Sequence, residues 1–240
     1  MVTVWDARLA ARSALAAGIM LGLIGLVGAA TDEGVSWLVR LGRTLPLAPA
    51  AGAVGAYLAL GSARARGEIV ALAALGRRPS TSALPAAVGG AFVSLLAAAA
   101  VLTPGVDPHV FFPSVPHLTA FAFEGGAFVD HAEGLRVGPT GDIEALAPEV
   151  VAATAGLPAH ARGAAALATA LVGGALALVG ARARLGALAP SLAGGLVASA
   201  AVLVTFQAAG AALVSVWLAP ALAGALLVAA GLGYRARDGA

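Results

Sequence analysis

The sequence predicts an all-α polytopic membrane protein with six transmembrane helices in a 3+3 arrangement and a small β-rich insertion between the halves. Three observations carry this. Hydrophobic residues make up 60% of the 240 residues and charged residues only 11%, where a soluble domain carries about 25% charged. The apolar residues are gathered into runs about 20 residues long, the length a helix needs to cross a bilayer. The arginines gather on alternate sides of those runs. Cysteine is absent, which excludes a disulfide-stapled module. All 14 basic residues are arginine. Without lysine there is neither a Walker A site nor a Schiff base.

The expected spans cover residues 14–30, 45–62, 83–102, 163–180, 188–208 and 216–234. The last two are separated at 209–215, because one continuous helix there would exceed the membrane about twofold. With the N-terminus in the cytoplasm, the inner segments hold Arg8, Arg12, Arg64, Arg66, Arg77, Arg78, Arg182, Arg184, Arg235 and Arg237. The outer segments hold Arg40, Arg43, Arg136 and Arg162 and most of the acids. This is the positive-inside pattern, with both termini cytoplasmic in a bacterial inner membrane. The run ending Val27-Gly28-Ala29-Ala30 also resembles a signal peptide with a small-residue cleavage site. Either reading leaves the later spans in the same orientation.

Within the first span, Gly18, Gly22, Gly25 and Gly28 form a small-residue face suited to helix packing or a subunit seam. No ionisable residue lies deep in any expected span, which argues against ion-coupled transport. Ser94, Thr169, Ser191, Ser199 and Thr205 are expected to bond to helix backbone, and Gln207 to serve helix packing. No catalytic constellation is present.

Residues 103–160 form the outer segment. They open with Pro104, Pro108, Pro113 and Pro116, which disfavour helix. Residues 118–123 and 127–131 read as strands about a turn at Glu124-Gly125-Gly126. Residues 135–137 and 142–146 read as a second hairpin about 138–141. All four histidines, His109, His117, His131 and His160, fall in this segment without familiar metal-ligand spacing. They are expected to be surface residues, with no metal and no cofactor in this chain.

The inner loop after the second span carries the functional signal. From Glu68 it reads as a short helix with Ile69, Leu72 and Leu75 on one apolar stripe. Glu68 suits the positive end of the helix dipole. Gly76 ends the helix, Arg77 and Arg78 follow, and Pro79 prevents continuation. Such a helix either lies among lipid headgroups or docks in a groove on a cytoplasmic partner.

Glu68-Ile-Val-Ala-Leu-Ala-Ala-Leu-Gly76 ahead of Arg77-Arg78 resembles the coupling-helix signature of the LptF/LptG (YjgP/YjgQ) lipopolysaccharide-export permeases. Leu45-Pro-Leu-Ala-Pro49 resembles the start of that family's second span, and residues 181–237 its C-terminal three-helix block. The resemblance implies a permease subunit of an ABC-type lipid exporter. Its partners would be a cytoplasmic ATPase dimer, which binds ATP and Mg, and a second permease subunit, a paralogue or another copy. It implies ATPase coupling through Glu68, Ile69, Leu72, Leu75, Gly76 and Arg77, with Glu68 meeting an arginine of the ATPase. Arg40 and Arg43 stand in the region where family members bind lipid phosphate, though they do not match residue by residue; anchoring at the interface is the other reading. The family's outer domain is a much longer jellyroll than residues 103–160 can form. Two alternatives stand beside this: an FtsX/MacB-like permease, against which the 3+3 layout argues, and a non-transporting scaffold whose inner helix binds lipid.

Overall fold

A computed structural model describes residues 3–31, 37–112, 121–130, 135–145, 158–183, 188–210 and 213–236. The helices are α1 (Val4–Thr31), α2 (Trp37–Thr44), α3 (Ala48–Ala65), α4 (Glu68–Ala74), α5 (Pro79–Leu102), α6 (Ala161–Arg182), α7 (Leu188–Gly210) and α8 (Leu218–Ala236). A 3-10 turn, Leu45–Leu47, joins α2 to α3. Four stretches are long and apolar enough to cross a membrane: Val4–Ala30, Val39–Ala65, Thr81–Leu102 and Ala161–Arg182. The last two helices contribute shorter apolar runs, Ser199–Gly210 and Leu218–Leu232, among the described residues. α7 ends at Gly210 and α8 begins at Leu218, so the break overlaps the 209–215 expected from the length limit on a single span.

α1, α3, α5 and α6 make the centre of the bundle, and glycine is what lets them meet. A Cβ on Gly52 would lie 2.5 Å from the Gly90 carbonyl oxygen, and one on Gly90 2.3 Å from that of Gly52. The α3 and α5 backbones therefore touch directly. A Cβ on Gly55 would likewise collide with Ser13 and Ala17 of α1, one on Gly89 with the Ala10 carbonyl, and one on Gly180 with the Ala53 carbonyl. Alanine dominates the buried surface around these contacts, with Ala53, Ala56, Ala86, Ala164, Ala165 and Ala177 fully enclosed. In hydrocarbon, helices gain little by hiding leucine from lipid, so close approach of small residues supplies the packing energy. The long aliphatic side chains point outward instead, among them Leu15, Ile19, Leu23, Val88, Leu95 and Leu96.

Arginines close helix ends. Arg64, in the last turn of α3, donates to the Ala183 carbonyl at 2.9 Å and the Ala181 carbonyl at 3.4 Å, at the end of α6. Arg162, in the first turn of α6, donates to the Val101 carbonyl at 3.3 Å and to that of Thr103, at the end of α5. Arg40 of α2 donates to the Ala29 carbonyl at 3.0 Å, in the last turn of α1. A helix leaves its last four carbonyls without internal donors and carries negative partial charge there. A guanidinium from a neighbouring helix answers both.

At the other end from α4 lies a four-stranded antiparallel meander in the order β1-β2-β3-β4: β1 (Phe121–Glu124), β2 (Ala127–Asp130), β3 (Leu135–Val137) and β4 (Ile143–Ala145). Gly125 and Gly126 have φ of 60° and 81°, the two positive values that a two-residue type I′ hairpin requires. The turn is thus Gly125-Gly126 alone, with Glu124 paired to Ala127 as the last strand position.

Gly180→Ala is expected to cost about 1–3 kcal/mol by overpacking against the Ala53 backbone. Gly22→Ala, where the added methyl meets nothing within 4 Å, should leave stability within about 1 kcal/mol of wild type. Thermal melts of the two variants in the same detergent make the comparison.

Candidate functional site

The site is built from α4 and the first turns of α1. Short as it is, α4 is held at both ends by glycine. Gly67 caps its start with φ 72°, a left-handed conformation that a β-carbon disfavours. Gly76 follows its end with φ 82°. The Arg77 amide donates to the Leu72 carbonyl at 3.0 Å and the Gly76 amide to the Ala73 carbonyl at 2.9 Å. That pair of bonds is a Schellman motif, and it fixes the position from which Arg77 leaves the helix.

α1 begins at Val4, ten residues before the apolar run, so Asp6, Arg8 and Arg12 are helical. Thr3 and Asp6 explain the early start. The Thr3 amide donates to Asp6 Oδ2 at 2.9 Å, and the Asp6 amide donates to Thr3 Oγ1 at 3.3 Å. This is a reciprocal capping box.

Glu68 reaches back to α1. Its Oε2 accepts the Trp5 indole N–H at 2.9 Å. Its Oε1 accepts the Arg66 Nε–H at 2.6 Å and lies 3.7 Å from an Arg12 guanidinium nitrogen. The hydrogen bonds from Arg66 and then Trp5 hold the Glu68 carboxyl below the usual glutamate range, against a smaller opposing effect of burial; the charges of Arg66 and Arg12 add to the lowering.

Arg77 makes the matching contact at the far end of α4. Its guanidinium pairs with Asp6 Oδ1 and lies over the face of Trp5, 5.3 Å from the ring centroid. It also donates to the Thr81 carbonyl at 3.2 Å. That carbonyl is the one Pro85, within α5, leaves without its helical donor. Trp5 therefore joins both ends of α4: its N–H meets the anion and its ring face the cation.

The residues expected to form one apolar stripe lie in different surroundings. Ile69 packs, partly buried, against the bundle cluster that includes Leu9 and Ala63. Leu72 is half-buried. Leu75 is 83% exposed and Val70 72% exposed, and Gly76 is exposed beside them. Sequence reasoning did not single out Trp5, Asp6, Arg12 and Arg66 for this site. The Thr3-x-x-Asp6 spacing was the available signal, since a capping box marks a helix start.

At the opposite end, Arg40 and Arg43 lie on α2, an element the sequence did not announce. Arg40 is committed to the end of α1, while its Nε is buried without a partner among the described residues. Arg43 is exposed. Near them an apolar groove of about 790 Å³ opens between α1 and α2, floored by Gly18, Gly22 and Gly25 and walled by Trp37, Leu41 and Leu45. Neither arginine lines it.

Ser94, expected to bond to helix backbone, instead has its hydroxyl buried without a hydrogen-bond partner among the described residues, at the close approach of α5 to Gly173 of α6. His160 caps α6 with φ 65° and lies 6.2 Å from the Trp217 ring. His117 and His131 lie outside the described residues. No group of three metal-ligating side chains occurs among the described residues. Thr169 donates to the Ala165 carbonyl and Thr205 to that of Val202. Gln207 is exposed, beside a buried Phe206 that packs edge-on against Phe111 and Phe112. Comparison with protein-family models, with curated proteins and with solved structures finds no match for this chain.

The lowered Glu68 value gives a pH dependence with a definite sign. Its contribution is complete above the ordinary glutamate range and is lost as pH falls through the depressed value. In a Trp37→Phe, Trp217→Phe background, Trp5 emission should shift on acidification. The shift should move to neutral pH, as a constitutive change, in Glu68→Gln.

Proposed function

We propose that the chain is a transmembrane permease subunit of an ABC-type exporter of lipopolysaccharide-like lipid, with α4 as the element a separate ATPase moves. In this reading α7 and α8 complete six spans in a 3+3 order, both termini are cytoplasmic, and the membrane is a bacterial inner membrane. α7 has 23 residues and α8 has 19, about 35 and 29 Å of helix, lengths suited to a crossing.

One observation carries the reading: α4 is a short helix at one end of the bundle, fixed at both ends to α1 and exposing apolar Val70 and Leu75. A helix that only linked α3 to α5 would have no need of that attachment. Attached so, a push on α4 is delivered to α1. Of the four long apolar stretches among the described residues, that of α1 is the least covered, with 17% of its window buried against 67% for α6. Such a helix has an open side toward which a push could move it. The groove beside Gly18, Gly22 and Gly25 is apolar and wide enough for an acyl chain, and Arg43 on the neighbouring α2 would meet a phosphate. Nucleotide and Mg belong to the partner, in keeping with a chain that has no lysine for phosphate. A second permease subunit would complete the transporter.

The test is purification from native membranes under mild detergent, followed by nucleotide-hydrolysis assay. An ATPase should co-purify with the wild type, and Leu75→Asp should reduce its recovery at least tenfold while the thermal melt is unchanged. A correctly folded wild type that never brings down a nucleotide-hydrolysing protein ends this reading.

A further inference from the structure

The family resemblance places the partner's arginine on Glu68. The geometry points to a partner of the opposite charge: we propose that the outward surface of α4 docks in an apolar groove rimmed by carboxylates on a soluble protein, with Arg8 and Arg78 supplying the charge on this side. The proposal rests on reading α4 as the partner-facing element and specifies the chemistry that meets it.

The two carboxylates described at this end of the molecule, Glu68 and Asp6, are already occupied. Glu68 Oε2 holds the Trp5 indole, and Oε1 holds Arg66 with Arg12 beside it. Asp6 Oδ2 closes the capping box and Oδ1 takes Arg77. An incoming arginine would have to displace Arg66 and Arg12 and would enter a field of guanidinium groups. A carboxylate meets the reverse situation.

The charge left over is positive. Arg78 stands two residues past Gly76, exposed, with its guanidinium meeting no carboxylate among the described residues. Arg8 is exposed on α1 and likewise without an acid partner among them. Trp5 and Arg12 both reach Glu68, and Arg8 falls on the same stripe at i+3 from one and i−4 from the other. These two exposed arginines thus flank α4 from its α1 side and from its end.

Between them lies a continuous apolar face. Val70, Ala71, Ala74 and Leu75 are all exposed and fall on one side of a 3.6-residue helix. Ile69 is the residue turned to the bundle. Val70 and Leu75 are turned off the bundle, leaving apolar surface that a groove on a partner would cover. Rim charges of this kind set the association rate and its salt dependence.

A photo-reactive amino acid at exposed Ala74, irradiated in native membranes and followed by peptide sequencing, tests the proposal. The adduct should fall on a soluble protein, in an apolar segment with Asp or Glu within one turn. Arg8→Glu with Arg78→Glu should lower adduct yield at least tenfold, and changing the partner's acid to arginine should restore it. Neither side chain has an acid partner among the described residues, so the double variant should melt with the wild type. Val70→Asp gives an independent loss should it not. An adduct with lipid only, with a second copy of this chain, with a basic segment, or with nothing overturns the proposal, as does an adduct indifferent to the double reversal. An acid-rimmed partner without nucleotide hydrolysis would end the exporter reading and leave this one standing. A co-purifying ATPase indifferent to the reversal would do the opposite.

Discussion

The bundle depends on backbone touching backbone. Gly52 on Gly90, Gly89 on Ala10 and Gly180 on Ala53 bring helices closer than any side chain would allow. This is the packing that a lipid solvent rewards. Water drives leucines together, but hydrocarbon is indifferent to them, so contact energy must come from dispersion between many close atoms. The 32 glycines and the alanine-filled interior are the consequence. Because the central helices sit so close, their relative positions are set by carbonyls and α-carbons, which cannot change rotamer. Along α1 such contacts are confined to its first half. α1 meets its neighbours at Ala10, Ser13 and Ala17 and presents Gly18, Gly22 and Gly28 to open space.

A second constraint is the accounting of helix-end carbonyls. At the ends of α1, α5 and α6 they are answered by arginines borrowed from a neighbouring helix. Arg40 and Arg162 are two of the four arginines that a charge-topology argument leaves on the minority side. Their capping role gives a local reason to be there. The same logic accounts for Arg77 and Thr81, where a proline inside α5 creates an unmet carbonyl away from any helix end.

Much of the fold was legible in the sequence. The membrane class, the positions of the long helices, the β-hairpins and the α7–α8 break all follow from apolar run length and turn residues. Gly125-Gly126 was legible because a type I′ turn admits few other residues. α2 was not, because eight residues around Arg40 and Arg43 are too short a window for helical periodicity to stand out. At the site, Glu68 and Gly76 could be read as the limits of a helix. Which of its faces turned outward could not. Ile69, Leu72 and Leu75 share a stripe by spacing alone, but the orientation of α4 is set by Trp5 and Asp6, more than 60 residues away in sequence. Two small clues, a capping box and an indole near the N-terminus, were present without any local sign that they concerned α4.

Trp5 has one more consequence. An indole offers a positive edge and a negative face, and here the edge meets Glu68 while the face meets Arg77. Two oppositely charged groups, at opposite ends of one helix, share a single ring. Turning that ring to suit one unseats the other, so the two attachments are not independent bonds that can fray in sequence. α4 is joined to α1 through a common pivot, and it stays or leaves as a whole.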